Sequence, residues 1–403
     1  LNERIHSVAG WHNVFVDSYW PPEKGGALYR PLTSLAFVLQ WFAGGGSPLV
    51  FHIVSIALYA LVSVCVLRLA EALTDWPAAW LAAALFAVHP LHVEVVANVV
   101  GQAELWAAML AIPAVTLFIR ARRNGEMSRH DIARIGALYG GALMFKEHVV
   151  VLPVIVIAAE LLVVGRASMT EHARRVAPVV VVMTAVAVSF IVVRTVVLDD
   201  LEGAGVSPIF AGYGYETRFF TMLRVMMEWV RLFFWPARLA TDYAPLIELA
   251  SSFELEMMPA VAVIGAAVAI AWAVRRSHPA ATFALAWAGI TLLIPSNLMV
   301  VTGFVLAERA LFLASAGMMI ALAIAIHAMV KASPEMEHSR KRVVGVAVAA
   351  VLAMGMLRSS ERNPAWRDNA SLIERNVADL PMSWHAHMMM SQLYSDRGDR
   401  QRA

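Results

Sequence analysis

Apolar runs of about 15 to 23 residues recur along the chain, at 49–67, 176–198, 259–274 and 343–357. They constrain the fold more than any other feature. A helix needs roughly 20 apolar residues to cross the hydrocarbon core of a bilayer, and fewer where protein covers its ends. Of all residues 60% are hydrophobic and only 15% are charged, and the mean hydropathy is +0.65. No packed soluble core requires so many such runs. The expected fold class is all-α, a polytopic helical membrane protein, and 403 residues leave room for about ten crossings with loops and a small appendage.

A net charge of +2 fixes little, because the basic residues sort by loop and form no patch that would hold nucleic acid. The single cysteine, Cys65, lies inside an apolar run, so neither an intrachain disulfide framework nor a cysteine metal site is available. The chain starts at Leu1 with neither a methionine nor a signal-like region, and the expectation is that a preceding segment has been removed or omitted.

Lys and Arg accumulate in short cytoplasmic loops. Four clusters meet that pattern: Arg120, Arg122, Arg123, Arg129 and Arg134; Arg166, Arg174 and Arg175; Arg275 and Arg276; and Lys331, Arg340, Lys341 and Arg342. With all four inside, 135–145 and 149–164 form a hairpin with its tip at Lys146-Glu147-His148 outside. Helices are predicted at 49–67, 78–88, 105–119, 177–198, 259–274, 280–294, 305–330 and 343–357. Parity requires the segment 219–235, with Arg224, Glu228 and Arg231, to start and end outside, as an in-plane or re-entrant helix. The polar residues with possible chemistry then gather on the extracytoplasmic face.

Hydrophobicity drops after Arg358. The stretch 363–403 reads as paired polar helices around Pro381, similar to the start of a tetratricopeptide array or to an amphipathic pair on the membrane surface. The expected organisation is an extracytoplasmic N-terminal loop (1–48), a transmembrane domain (49–358) and the beginning of a helical array (359–403).

Within the outer face, His89-Pro90-Leu91-His92-Val93-Glu94 followed by Gln102 and Glu104 is the richest stretch. Pro90 is predicted to end the helix that begins at 78. Ionisable side chains at an apolar boundary must be paired or functional. His and Glu are metal ligands, but their spacing matches no recognised zinc pattern, and no metal site is assigned. Glu104 also fits a helix-capping role. Lys146, with Glu147 and His148, reads either as a charged tip that snorkels to the interface or as a cation for a lipid phosphate. Glu308-Arg309 lies within an apolar run, where an Arg suits a phosphate through its bidentate fork. Arg194, near the outer end of its helix, is a similar case. Arg30, Asp17 and Asp242 lie in outer loops among aromatic residues.

The ordered set YRPLT (29–33), FH (51–52), FAVHPLHVEVVANVVGQAEL (86–105), FKEH (145–148), WPARLATDY (235–243) and SNL…GFVLAERALFLASAG (296–317) resembles the transmembrane and tetratricopeptide-repeat (TMTC) O-mannosyltransferases and their bacterial relatives. The resemblance is collinear over essentially the whole chain. It implies a GT-C glycosyltransferase fold that moves a mannose-like sugar from a polyprenyl-phosphate donor to a protein hydroxyl on the extracytoplasmic side. It further implies a catalytic Asp pair just after the first transmembrane helix, which by alignment would precede residue 1. Gln102 stands where the family usually has Arg, one cation fewer.

On that resemblance the expected catalytic residues within this sequence are Asp17, Glu94 and Glu104. Arg309, Lys146 and Arg194 would bind the donor phosphate. Arg30, His89, His92, Gln102, Glu147, His148, Asp242 and Glu308 would line the pocket. No cofactor is expected beyond the lipid-linked sugar. The expected partners are the bilayer, that donor and an acceptor protein held by the helical array. Abundant Ala, Val and Arg point to a high-GC bacterial genome, hence an inner-membrane location and an undecaprenyl carrier. The alternative is a non-catalytic assembly or scaffold subunit that keeps the fold, which Gln102 favours.

Overall fold

A computed structural model of the chain describes residues 6, 10–21, 28–165, 167–199, 208–210, 212–240, 243, 247–331 and 338–399, apart from the side chains of Pro208, residues 338–340 and His385. Among the described residues there is no strand. The α-helices are α1 (Pro31–Gly44), α2 (Pro48–Glu71), α3 (Trp76–Ala87), α4 (Val93–Ala97), α5 (Gln102–Arg123), α6 (Arg129–Phe145), α7 (Leu152–Leu162) and α8 (Met169–Leu198). They continue with α9 (Tyr215–Phe234), α10 (Met258–Val274), α11 (Pro279–Thr291), α12 (Phe312–Lys331), α13 (His338–Arg362), α14 (Asn369–Asp379) and α15 (Trp384–Asp396).

Local chemistry sets where these helices begin. Proline occupies one of the first two positions of α1, α2, α3, α7, α10 and α11, where its missing N–H has no helical partner to lose. Ser128 and Asp131 form a reciprocal capping box at the start of α6. Pro90 holds His89 in extended geometry (φ −70°, ψ 124°), so α3 stops at Ala87 and a 3-10 turn, Pro90–His92, leads into α4.

Among the described residues six helices are long and apolar enough to cross a membrane, or seven if the bent pair Trp76–Ala87 and Pro90–Ala97 is one span. That is fewer than the ten crossings the length allows. The difference lies in α6, α7 and α11, which have 17, 11 and 13 residues against the roughly 20 a full crossing needs. The predicted helix over 305–330 also starts late, at Phe312, after a 3-10 turn at Glu308–Leu311. Glu308 and Arg309 take their partners from other segments, as described below, and that fixes the turn outside helical geometry.

The largest core forms where α5 packs on α2 and α6, and α12 packs on α3 and α11. Of the most apolar window of each span, 72% is buried for α5, 28% for α2 and α8, and 11% for α10. Helix α5 is therefore the axis of the bundle, and α10 faces outward along most of its length.

Charged residues collect at the two ends of this bundle. At one end Arg120 donates to the Arg68 carbonyl at 3.1 Å and Arg123 to the Ala72 carbonyl. Asp75 there meets His327 and Lys331. Arg122 grips Glu160 through two hydrogen bonds of 2.9 and 3.1 Å, and His172 reaches the same carboxylate at 3.1 Å. These contacts bring the ends of α2, α5, α7 and α12 and the starts of α3 and α8 together.

At the opposite end a second, smaller core forms from Leu91, Phe210, Met222, Val225, Trp229, Leu232, Tyr243 and Val305 with their neighbours. Helix α9 supplies much of it. Its start meets the Asn297 carbonyl through Arg218 at 3.4 Å, and its end meets His89 through the Phe233 carbonyl at 2.9 Å. Both ends of α9 therefore contact segments at this same end of the bundle.

Gly317 lets α12 approach α11 closely. A Cβ there would meet the Ala284 carbonyl oxygen and lie 2.8 Å from Trp287 Cδ1 and 3.1 Å from the Ala288 nitrogen. Backbone atoms cannot yield as a flexible side chain can, so Gly317→Ala should force the helices apart at roughly 1–3 kcal/mol, the usual range for overpacking. The check is a lowered thermal unfolding midpoint of the detergent-solubilised protein, and an unchanged midpoint contradicts the close approach.

Candidate functional site

Three ion pairs line the end of the bundle opposite the basic loops. Arg309, in the 3-10 turn before α12, donates its backbone N–H to Glu94 Oε2 at 2.9 Å and its guanidinium to Glu94 Oε1. Glu94 sits in the first turn of α4. Lys146 Nζ donates to Glu104 in the first turn of α5, and His148 Nε2 lies 3.3 Å from the other oxygen of that carboxylate. Arg30, just before α1, holds Glu147 in a two-bond fork of 2.9 and 2.6 Å. Thr33 adds a hydrogen bond of 2.8 Å to the Phe145 carbonyl, so α1 is fastened to the end of α6.

These pairs form one electrostatic cluster, since the charges of Arg30 and Arg309 both act on Lys146. Burial disfavours the Lys146 ammonium more than Glu104 sustains it, so its pKa falls below the ordinary lysine value. Burial dominates at His148 as well, and despite Glu104 its pKa drops to about 4. The ring is neutral at pH 7. Its contact with Glu104 assigns the proton to Nε2, which leaves Nδ1 a buried acceptor with no partner among the described residues. For Glu147 burial raises the pKa, but the charge and hydrogen bonds of Arg30 outweigh it and hold the carboxyl at about 2.

Exposure separates the cations. The Arg309 side chain is 28% accessible while Glu94 is 2%, and the Lys146–Glu104 pair is nearly closed at 10% and 4%. A guanidinium has five N–H donors and Glu94 engages one of them, so Arg309 keeps an open face. Its guanidinium carbon lies 5.1 Å from the Phe304 ring centroid. Lys146, read from sequence as able to snorkel, is buried instead.

The remaining predicted residues divide into two groups. His92 is fully enclosed, with Nδ1 2.8 Å from Tyr59 Oη and 3.0 Å from the Phe86 carbonyl, and Nε2 2.9 Å from Ser315 Oγ. His89 caps the turn after Pro90 by accepting from Leu91 N–H at 3.3 Å. Gln102 exchanges hydrogen bonds of 2.9 and 3.0 Å with Gln40 and donates to the Phe51 carbonyl and Ser55. Glu308 accepts from Ala240 N–H at 2.7 Å and from the Tyr243 hydroxyl at 2.6 Å.

Asp17 lies in the N-terminal segment, which is anchored by the Tyr29 hydroxyl on the Phe15 carbonyl at 2.9 Å, and Tyr19 there lies under Arg30 at 5.6 Å. Arg194 stands on α8, one turn beyond Phe190, whose ring packs 5.9 Å from Tyr29. Asp242 falls outside the described residues. His92, Glu94 and Glu104 go to separate partners, and among the described residues no three His, Cys, Asp or Glu side chains converge as a metal ion would require.

Sequence reading missed Gln40, Tyr59 and Ser315. Each is a polar residue within or beside an apolar stretch, and that was the available signal. Gly101 was also missed as a packing residue. A Cβ there would strike the Val95 carbonyl, so glycine lets the chain turn tightly from α4 into α5 and places Glu94 and Glu104 on the same end of the bundle.

The chain is 25% identical to human protein O-mannosyl-transferase TMTC4 over 97% of its own length and 58% of the relative's. It is 23% identical to protein O-mannosyl-transferase F38B6.6 of Caenorhabditis elegans over 92% of its length and 51% of the relative's. A shorter match, 36% identical over 31% of the chain and 14% of the relative, is to protein O-mannosyl-transferase Tmtc2 of Drosophila melanogaster. The chain thus spans little more than half the length of the relatives it matches end to end. No family model and no solved structure matches it.

The depressed Glu147 pKa has a definite acid signature. The carboxyl is held below its ordinary 4.5 at about 2, so its stabilisation is complete above about pH 4.5 and is lost as pH falls through about 2. The melting-temperature gap between wild type and Glu147→Gln should stay constant from pH 7 to 5 and narrow below that. A gap that closes already between pH 7 and 5 contradicts the Arg30 pairing.

Proposed function

We propose that this chain is the membrane portion of a glycosyltransferase of GT-C type, moving a mannose-like sugar from a polyprenyl phosphate to a protein hydroxyl at the extracytoplasmic face. The expected host, a bacterium, rests on composition alone. The observation that carries the reading is Arg309, the one cation of the cluster with an open face, held by Glu94 through both its backbone and its side chain. The names of relatives along nearly the whole chain support the transferase class.

In this mechanism the donor phosphate rests on the open face of Arg309, with Lys146 deeper and Arg194 beside the N-terminal segment. The bond from the sugar's anomeric carbon to the phosphate oxygen breaks while one to the acceptor oxygen forms. Negative charge develops on the departing phosphate, and fixed cations in a site shielded from water stabilise it more than water would. Glu94 and Glu104 orient the cations, a role that suits carboxylates already engaged by positive charge. His148 Nδ1 offers a hydrogen-bond acceptor to a sugar or acceptor hydroxyl. The hydroxyl proton passes to a carboxylate of the first outer segment, for which Asp17 is the choice within this sequence. The helical pair α14–α15 begins an array that receives the acceptor protein.

Two features favour the scaffold alternative: every cation in the cluster already has a carboxylate partner, and Gln102 is sealed in a neutral amide network. Such networks also arise for structural reasons.

The test is transfer from radiolabelled mannosyl-phosphoryl-polyprenol to acceptor peptides by the full-length protein in liposomes. Arg309→Ala should lower kcat/KM roughly a hundredfold or more, the scale for losing one preorganised charge contact, while Arg309→Lys retains part of the activity. Undiminished transfer by Arg309→Ala removes the phosphate role. A folded wild type that transfers nothing leaves the scaffold reading in place.

A further inference from the structure

We propose that Asn297 is a positioning residue: it closes the loop 297–304 so that Phe304 steadies the Arg309 guanidinium for the donor phosphate. This rests on the reading of Arg309 as the donor-phosphate cation. Asn297 is fully buried, and with Asp199 it is one of the two described non-glycine residues whose φ is positive, here +56°. Glycine meets that conformation at no steric cost. Asparagine tolerates it because its short polar side chain can bond locally, and at Asn297 that bonding is extensive.

The amide finds a partner for each of its hydrogen-bonding positions. Nδ2 donates to the Pro295 and Phe304 carbonyls, each at 3.2 Å. Oδ1 accepts from the Thr302 N–H at 2.7 Å and lies 2.9 Å from the Thr302 hydroxyl, which is also 2.8 Å from the Phe304 carbonyl. One side chain thus ties the start of the loop to its end. Little else shapes the tip, where Met299 is 65% and Val300 49% exposed. Beyond Phe304 the chain is pinned by the buried Val305, Leu306 and Ala307, so the place of Phe304 carries through to the turn that begins at Glu308.

Arg309 is held by two groups of different kind. Its guanidinium donates to Glu94, and its guanidinium carbon lies 5.1 Å from the Phe304 ring centroid. Glu94 takes an N–H that a phosphate could have used. The ring attracts the cation through its quadrupole and has no lone pair to occupy an N–H. Phe304 therefore steadies a side chain that is 28% accessible without competing with an anionic ligand. Ordering a long side chain on binding costs affinity, and a cation already oriented loses less of it.

The test measures the Kd of farnesyl phosphate, a short polyprenyl phosphate, for the detergent-solubilised full-length protein, alongside thermal unfolding midpoints. Phe304→Leu should weaken binding about fivefold, the equivalent of a partly exposed cation–π contact. Phe304→Tyr, which keeps the ring, should change it by less than about twofold. Asn297→Gly permits the same backbone conformation but removes the side-chain bonds, and its Kd should also rise about fivefold. The double variant Asn297→Gly with Phe304→Leu should bind about as well as either single one, because both act through one contact. Effects that multiply to about 25-fold overturn the proposal, as does an unchanged Kd in either folded single variant. A lowered unfolding midpoint with a normal Kd makes Asn297 a fastening of the loop and nothing more. If Asn297→Gly does not fold, Thr302→Val, which removes the hydroxyl beside the Phe304 carbonyl, takes its place in the same cycle. Arg309→Ala separates the two readings: if it loses binding while Phe304→Leu keeps it, only this proposal fails. If Arg309→Ala binds as wild type does, or wild type does not bind, the donor site fails and this proposal with it.

Discussion

Hydrocarbon tolerates no unpaired charge, and the structure is organised by that constraint. Ionisable side chains sit at the two ends of the bundle, and the buried Glu94, Glu104, Lys146, Arg122 and Glu160 are paired there. Glu104 and Arg122 mark the two ends of α5, about 27 Å apart along the axis at 1.5 Å per residue, close to the roughly 30 Å thickness of a bilayer core. Glu104 binds Lys146 from the end of α6, and Arg122 binds Glu160 near the end of α7. Two buried ion pairs thus fix how α5, α6 and α7 align along the membrane normal, and apolar packing fills the space between them.

The same pairing rule that closes the bundle also shapes its candidate site. Breaking a buried pair leaves an uncompensated charge, which is costly, so the Lys146–Glu104 contact is a poor place for a ligand to enter. Arg309 differs because it shares its carboxylate partner with its own backbone N–H and keeps part of its guanidinium accessible. A phosphate can join Arg309 without displacing Glu94. On the proposed reading, stability and binding would be divided between neighbouring cations, Lys146 serving chiefly the first and Arg309 the second.

Much of the site was legible because it is chemically conspicuous. Glu94, Glu104, Lys146 and Arg309 are charges set in apolar surroundings, and the basic loops indicated that they share one end. What sequence could not supply was their partners. Glu94 meets Arg309 and Arg30 meets Glu147 across large separations in the chain, and no local pattern specifies such contacts. His92 shows the opposite error: a histidine in a rich motif turned out to be enclosed by Tyr59, Phe86 and Ser315, a packing group. Gln102 read as a missing cation, whereas its amide is matched by Gln40 from α1.

Hydropathy by itself determined that this is an all-helical membrane protein. That followed because the cost of placing backbone and charge in hydrocarbon depends on composition and length, which are local quantities. Tertiary structure alone decided that α12 starts at Phe312 and which cation keeps an open face. Those outcomes depend on how distant segments compete for the same carboxylates, and that competition exists only once the chain has packed.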